Sequence, residues 1–404
     1  MTQKAKSPTI EYIILIALIS SIVALGTDIM LPALSVIGDE LGAPNKNAVH
    51  YVVTTFFLGF GLGQLVVGPL SDSYGRKPIV YAGFLIFVLG CAFSIFFESW
   101  AAMLIGRCLQ GLGASARIVS VALIRDEYEG RPMARIMSVV FSVFILVPMI
   151  APALGQVLIH LGGWRLTFVV LALFAIILVA WFGFRQPETL SSDSRRPLNT
   201  KGVYAGYKEV ASNRAAFGYT IAAGLIFGAF TGYLGTAQKI FQEVFEVGDL
   251  FALYFAFAAA SIGIASLLNA AMVMRFGMFA LSLWALIFAS VTSIIFALVL
   301  IAYSGVPPLA MFMIWLLGVF FCMGIIFANL NALAMEPMGH MAGFAAAFVG
   351  AISTLISLPF AAIIGNAFNG TVFPLVIAFA VLGTATVIGV VWTEGGFSRR
   401  RSND

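Results

Sequence analysis

Apolar runs of about twenty residues or more, each closed by a short charged or turn-forming stretch, follow one another along nearly the whole chain. A helix that crosses the hydrocarbon core of a bilayer needs roughly 20 such residues. The pattern predicts twelve spanning helices, over approximately 11–34, 48–71, 79–97, 100–124, 134–160, 164–184, 215–243, 250–273, 278–303, 307–335, 340–367 and 370–392. Composition points the same way: with 61% hydrophobic and 10% charged residues and a mean hydropathy of +1.02, the chain has too little polar surface to cover a soluble globule. The expected fold class is all-α integral membrane.

Charge adds an orientation, because cytoplasmic loops hold the excess of Lys and Arg. With the N-terminus inside, one face collects Lys4, Lys6, Arg76, Lys77, Arg125, Arg131, Arg135, Arg185, Arg195, Arg196, Lys201, Lys208, Arg214, Arg275, Arg399, Arg400 and Arg401, and the other only Lys46, Arg165 and Lys239. Both termini are therefore expected in the cytoplasm. The basic isoelectric point reflects this asymmetry and not nucleic-acid binding. The first apolar run follows Lys4 and Lys6 but continues to Asp28 and Pro32 without a small-residue cleavage site, so it reads as a retained span. Cys91, Cys108 and Cys322 all fall inside spans, with neither a disulfide framework nor metal spacing, and packing is their expected role.

One loop is long and polar. Arg185 to Lys201 reads RQPETLSSDSRRPLNTK and runs into a polar, interfacial stretch ending at Arg214. It divides the chain into an N-terminal six-helix bundle (1–184), a cytoplasmic linker (185–214) and a C-terminal six-helix bundle (215–404). Asp72-Ser73-Tyr74-Gly75 after the second span and Met274-Arg275-Phe276-Gly277 after the eighth form a short internal match between the halves.

A few polar residues interrupt the apolar spans. Asp28, in GTDIMLPAL, costs at least ~2.5 to 3.5 kcal/mol on insertion scales at a helix centre, so it must face a cavity or a partner and is suited to exchanging a proton. A competing reading puts it at the outer interface, where Pro32 closes the helix one turn on. Arg107, in LIGRCLQGLGAS, cannot deprotonate and needs a partner, water or backbone carbonyls. It either tunes the proton-coupling acid or staples span 4 to span 1. Gln110, Gly111 and Ala114 follow it as a small polar strip. Arg117 lies about 80° further round the same helix and cannot share one contact with Arg107.

Other residues suit gating. In GPLSDSYGRKP, Gly68 lets span 2 approach a neighbour, Gly75 permits a tight turn, and Arg76 and Lys77 anchor the loop beside Asp72. Pro148 and Pro152, in PMIAPALG, each remove a helix hydrogen bond from span 5, which is expected to bend or open there. In ALAMEPMGHMAG, Ala332 to Gly343, Glu336 and His340 stand four apart and either pair or, as the favoured reading, belong to a solvated cytoplasmic loop, while Met338, His340 and the small residues beyond suit an interface between half-bundles. Candidate substrate contacts are Tyr233 and Gln238 in span 7, Asn329 and Asn331 in span 10, and Gln110; aromatics with few polar groups suit flat lipophilic molecules.

GPLSDSYGRKP and LIGRCLQGLGAS resemble the loop 2–3 and span 4 signatures of the major facilitator superfamily, and the D-x-x-x-P-A string at Asp28 resembles its span 1 signature. PMIAPALG resembles the Gly-Pro motif of its exporters, with Ala151 and Gln156 in place of glycines. ALAMEPMGHMAG resembles the loop 10–11 string of Bcr/CflA-type multidrug efflux transporters. The resemblance implies two six-helix bundles and alternating access around a central site. It also implies proton antiport of small lipophilic drugs or toxic compounds across the inner membrane, with a link to antibiotic resistance. In that family the acid matching Asp72 meets the N-terminal end of span 11; Ser73 replaces the usual Arg of the loop, and Arg275 resembles a relic of the same motif.

The partners expected are a small-molecule substrate, protons and the lipid bilayer, with the chain a monomer and without cofactor or metal. No GxxxxGK[ST] loop for an ATP-driven pump occurs, and Gly111-Leu112-Gly113 with Ala116 imitates a dinucleotide fingerprint without the preceding strand. A polytopic membrane enzyme has neither HExxH nor clustered carboxylates to work with. A narrow-specificity metabolite or amino-acid exporter of the same fold remains the alternative.

Overall fold

A computed structural model describes residues 9–195 and 198–395 of the chain. Lys4, Lys6, Arg196 and Arg399 to Arg401 of the basic set lie outside these residues, as does the side chain of Arg131. The helices are α1 (Ile10–Asp28), α2 (Leu34–Glu40), α3 (Tyr51–Tyr74), α4 (Arg76–Phe96), α5 (Trp100–Ala114), α6 (Ile118–Glu127), α7 (Gly130–Gly162), α8 (Trp164–Arg185), α9 (Thr200–Ser212), α10 (Arg214–Lys239), α11 (Phe251–Phe276), α12 (Met278–Ala302), α13 (Leu309–Met335), α14 (Ala342–Asn366) and α15 (Phe373–Thr393). No strand occurs among the described residues.

Eleven stretches among the described residues are long and apolar enough to cross a membrane. One of them, Leu309–Asn366, holds both α13 and α14, joined by the 3-10 turn Glu336–Met341, which brings the helices to the expected twelve. Their outer faces carry large apolar side chains, such as Trp284 at 70% and Ile314 at 74% exposure, a placement that only a lipid solvent makes favourable.

Three spans are broken. The first expected span ends as an α-helix at Asp28, turns through a 3-10 segment at Leu31–Ala33 and resumes as α2. The fourth is interrupted by a 3-10 turn at Ser115–Arg117, and the seventh ends in a π-turn at Ile240–Val244. Span 5 behaves differently: α7 runs unbroken through Pro148 and Pro152.

The backbone divides into two units, Met1–Ala33 with Thr55–Thr200 and Leu34–Thr54 with Lys201–Asp404. The polar stretch after α8 is not linker throughout, since α9 packs into the second unit. There Val210 and the adjoining Ala216 form a buried cluster with Met338, Ala345 and Phe348, edged by Tyr207 and Met335. The loop 10–11 string is thus the seat of α9 within its own unit.

The same helix pairings occur in both units. In the first, α1 packs on α7 and α8, and α4 on α5 and α8; in the second, the corresponding α10 packs on α14 and α15, and α12 on α13 and α15. Glycines make these approaches possible. A Cβ on Gly111 of α5 would fall 1.8 Å from the carbonyl oxygen of Phe56 on α3, and one on Gly113 would fall 2.4 Å from that of Gly83 on α4. The glycines that imitate a nucleotide loop therefore serve two separate helix contacts. Both units also turn on a glycine of positive φ at matching places, Gly75 (φ 105°) and Gly277 (φ 76°).

Gly111→Ala is expected to lower stability by about 1–3 kcal/mol, because backbone must move to admit the methyl group. Gly389→Ala in α15, where nothing lies within 4 Å, should be neutral or gain about 0.5–1 kcal/mol. Thermal unfolding of the two variants in one detergent checks the contrast.

Candidate functional site

Arg107 is fully buried in α5. Its Nη1 donates to the carbonyl oxygen of Gly26 on α1 at 2.8 Å and to Gln110 Oε1 at 2.6 Å, and the guanidinium lies over the Phe56 ring, 4.6 Å from its centroid. A guanidinium needs acceptors in the plane and tolerates an aromatic face, and this setting supplies both. Asp28, buried at the last turn of α1 two residues beyond Gly26, lies within the field of Arg107. The span 5 motif completes the setting: a Cβ on Gly155 would fall 1.7 Å from the carbonyl oxygen of Ile29, so α7 presses backbone to backbone on the residue after Asp28. Pro152 and Pro148 lie about one and two turns before that contact.

Gln110 is consumed by the protein, its amide nitrogen donating to Ser94 Oγ at 3.2 Å while its oxygen takes Arg107. It positions the arginine and is itself fully buried. Arg117, half-buried, lies 5.6 Å from the centroid of the Phe60 ring.

The loop between α3 and α4 is a second, fully ionic site. Arg76 donates through Nε to Asp126 Oδ2 at 2.9 Å and through Nη1 to Ser71 Oγ at 2.9 Å and to Asp72. Gly68 contributes its carbonyl, which accepts from Ser71 Oγ at 2.9 Å. Gly75, left-handed, opens α4 where a side chain would meet the Glu188 carboxylate. Glu188 caps that helix, accepting from the backbone N–H of Arg76 at 2.9 Å and of Lys77 at 3.0 Å. Burial alone would push the Glu188 carboxyl up, but the backbone N–H groups of Leu190, Arg76 and Lys77 and the charge of Arg195 hold it below the ordinary carboxylate range. Asp126 and Glu188 were not among the residues singled out from sequence; the signal available was acid set into otherwise basic loops.

In the second unit, Tyr233 is buried, stacked on Phe255 and edge-on to Phe320. Above it Phe227, Phe230 and Phe327 form a half-buried aromatic cluster. Asn329 and Asn269 exchange amide hydrogen bonds at 2.9 and 3.0 Å. Asn331 Nδ2 donates to the Phe327 carbonyl at 2.8 Å, and Gln238 accepts from Ser35 at 2.8 Å and donates to Gln242 at 2.6 Å. Of the two readings of Glu336 and His340, their pairing does not occur among the described residues; His340 Nε2 lies 2.8 Å from Glu209 Oε1 on α9.

The sequence pattern of the Major Facilitator Superfamily matches residues 16–362. A bicyclomycin resistance protein homolog of Haemophilus influenzae is 26% identical over 388 residues, 95% of this chain and of its own. A chloramphenicol resistance protein of Pseudomonas aeruginosa is 34% identical over 180 residues, 44% of this chain and 42% of its own. Among solved structures, the xylose transporter XylE from E. coli overlays 96% of this chain and 97% of its own with a TM-score of 0.73 at 13% identity. The human organic anion transporter MFSD10 overlays 96% of this chain and all of its own with a TM-score of 0.68 at 17% identity. At these identities the structural likeness is one of fold.

Glu188→Gln is expected to cost about 1–2 kcal/mol at neutral pH through loss of charge at the α4 N-terminus. A carboxyl held low in the folded chain contributes in full above its ordinary titration range and loses that contribution as pH falls through the lowered one. The gap in thermal stability between native chain and variant should therefore close in acid, below about pH 4.

Proposed function

Since the chain belongs to the major facilitator superfamily, we propose that it exports small lipophilic compounds across a bacterial inner membrane in exchange for protons, both termini lying in the cytoplasm. The observation that carries the reading is Asp28, a carboxylate buried in a membrane helix within the field of an arginine that cannot give up its charge. A proton taken up at Asp28 removes one of the two charges and with it that attraction, and its release restores it. Each step changes the charge balance where α1 breaks and where Gly155 presses on Ile29. Proton exchange is in this way tied to the geometry of the helix contacts that alternating access must alter.

Lipophilic cargo is supported by the half-buried Phe227 and Phe230 of α10 and Phe327 of α13, with α13 also joined to α11 by the polar Asn269–Asn329 pair. The names of relatives, resistance proteins toward bicyclomycin and chloramphenicol, favour drugs among such compounds. One proton entering down 100 mV supplies ~2.3 kcal/mol and one pH unit ~1.4 kcal/mol, which sustains a neutral-solute gradient on the order of several hundred-fold.

Purified native chain should release protons on addition of a transported compound from a panel of antibiotics and dyes, and Asp28→Asn should abolish the release. Persistent release from that variant would move coupling to another residue. In resistance assays, Phe230→Ala should lower export of lipophilic compounds about tenfold. Tyr233→Phe, whose ring keeps the same packing, should retain export.

A further inference from the structure

The segment joining the first two spans packs within the second unit, fastened by polar side chains that the coupling reading does not use. Asn47, in the 3-10 turn Lys46–His50, donates through Nδ2 to the carbonyls of Asn366 at 3.0 Å and Phe368 at 2.7 Å, at the end of α14. Its Oδ1 accepts from Lys239 Nζ, at the end of α10, at 2.9 Å. Ser35 on α2 donates to Gln238, and Asn366 Nδ2 donates to the Tyr51 hydroxyl at 3.1 Å.

His50 sits at the centre of this latch, 2% exposed. Its ring lies on the bare backbone of α14, where a Cβ on Gly365 would fall 2.2 Å from the ring Cγ, and its Cβ lies on Gly235 of α10, where a Cβ would fall 2.9 Å away. Nδ1 is 2.6 Å from the Asn47 carbonyl and so carries the hydrogen. The lone pair is left on Nε2, which is buried without a hydrogen-bond partner among the described residues.

The charged groups around the ring decide what a proton there would do. From α10 comes Lys239, buried over the Phe368 ring, whose charge reaches His50. From the π-turn beyond comes Glu243, 3.2 Å from Ser35 Oγ, and from α2 come Asp39 and Glu40. The turn and α3 themselves supply Lys46 and Tyr51, while α14 supplies only Gly365 and Asn366, neither titratable. Asp39, Glu243 and Lys46 act on Lys239, and Lys239 is the charge that acts on His50. A proton on Nε2 would create a buried N–H without an acceptor and place a second cation near Lys239. Both effects oppose the closed latch and vanish once the segment is in water.

We propose that His50 is a second protonation site, on the outer side in the orientation given above, whose proton releases residues 34–54 from α10 and α14. It goes beyond exchange at Asp28: acid outside would free the outer segment just when a driving proton is available to enter. The latch holds above the pH at which His50 titrates and releases below it.

Hydrogen–deuterium exchange of the full chain in lipid nanodiscs, corrected for intrinsic exchange chemistry, tests this on peptides covering 34–54. The native chain should lose protection at least about tenfold between about pH 7.5 and about pH 5.5. His50→Gln should be flat across that range, and Lys239→Gln, which keeps a donor to Asn47 and removes the cation opposing a proton on the ring, should lose less protection than the native chain over the same range. Flat protection in the native chain, or a native response in His50→Gln, overturns the proposal. Should Gln at position 50 prevent folding, the chain carrying His160→Gln and His340→Gln leaves one histidine, whose ring resonances must titrate together with the loss of protection. Titration at a different pH overturns the proposal equally. Asp28→Asn should keep the latch response intact, so failure of coupling at Asp28 and failure of the latch give different results.

Discussion

Arg107 carries a charge that cannot be titrated away in a place that water does not reach, and its surroundings in the first unit are organised around that constraint. A guanidinium in hydrocarbon must find acceptors within the chain. It finds them in a backbone carbonyl of α1 and a glutamine of its own helix, with an aromatic face beneath. That choice joins span 4 to span 1 two residues before Asp28. The contact is a staple between the two helices: the arginine reaches the helix of Asp28 by binding its backbone.

Close helix packing is what lets so short a side-chain network reach across helices. Gly111, Gly113 and Gly155 each face backbone of another helix at a distance that excludes any side chain. Such contacts gain dispersion where the hydrophobic effect, absent between lipid-bathed helices, supplies nothing. They also make the packing discrete, since a helix held by backbone contact slides poorly and shifts as a unit. In the proposed exchange, a change of charge at Asp28 would be felt through Ile29 by α7.

The two units share a pairing scheme but not their ornament. The turn at Gly75 carries Asp72, Arg76, Asp126 and Glu188 in a connected ionic network, while the matching turn at Gly277 carries Arg275 over the neighbouring Phe276 ring. The second unit keeps its polar fastenings elsewhere. One set lies around α9 and the loop 10–11 string, with His340 on Glu209, and the other holds residues 34–54 on α10 and α14. Carboxylates at helix N-termini and on arginines are strong where water is scarce, and hydrogen bonds to backbone carbonyls are more easily exchanged for water.

Much of this protein was legible along the chain because it depends on one-dimensional quantities. The length of an apolar run determines whether it spans, so the twelve helices followed from the sequence, and the cost of charge in lipid singled out Asp28 and Arg107. Turn chemistry marked Gly75, whose positive φ the structure shows. What tertiary structure alone decided was who meets whom. Glu188 caps α4 across 112 residues of sequence, His340 pairs across 131 and not across four, and Gln110 is spent on Arg107. The break at Ser115, the docking of α9 and the burial of His50 against Gly365 likewise have no local signature. Hydropathy measures what each residue prefers as its solvent, whereas a hydrogen bond or a backbone contact between distant helices depends on positions that only the packed bundle defines.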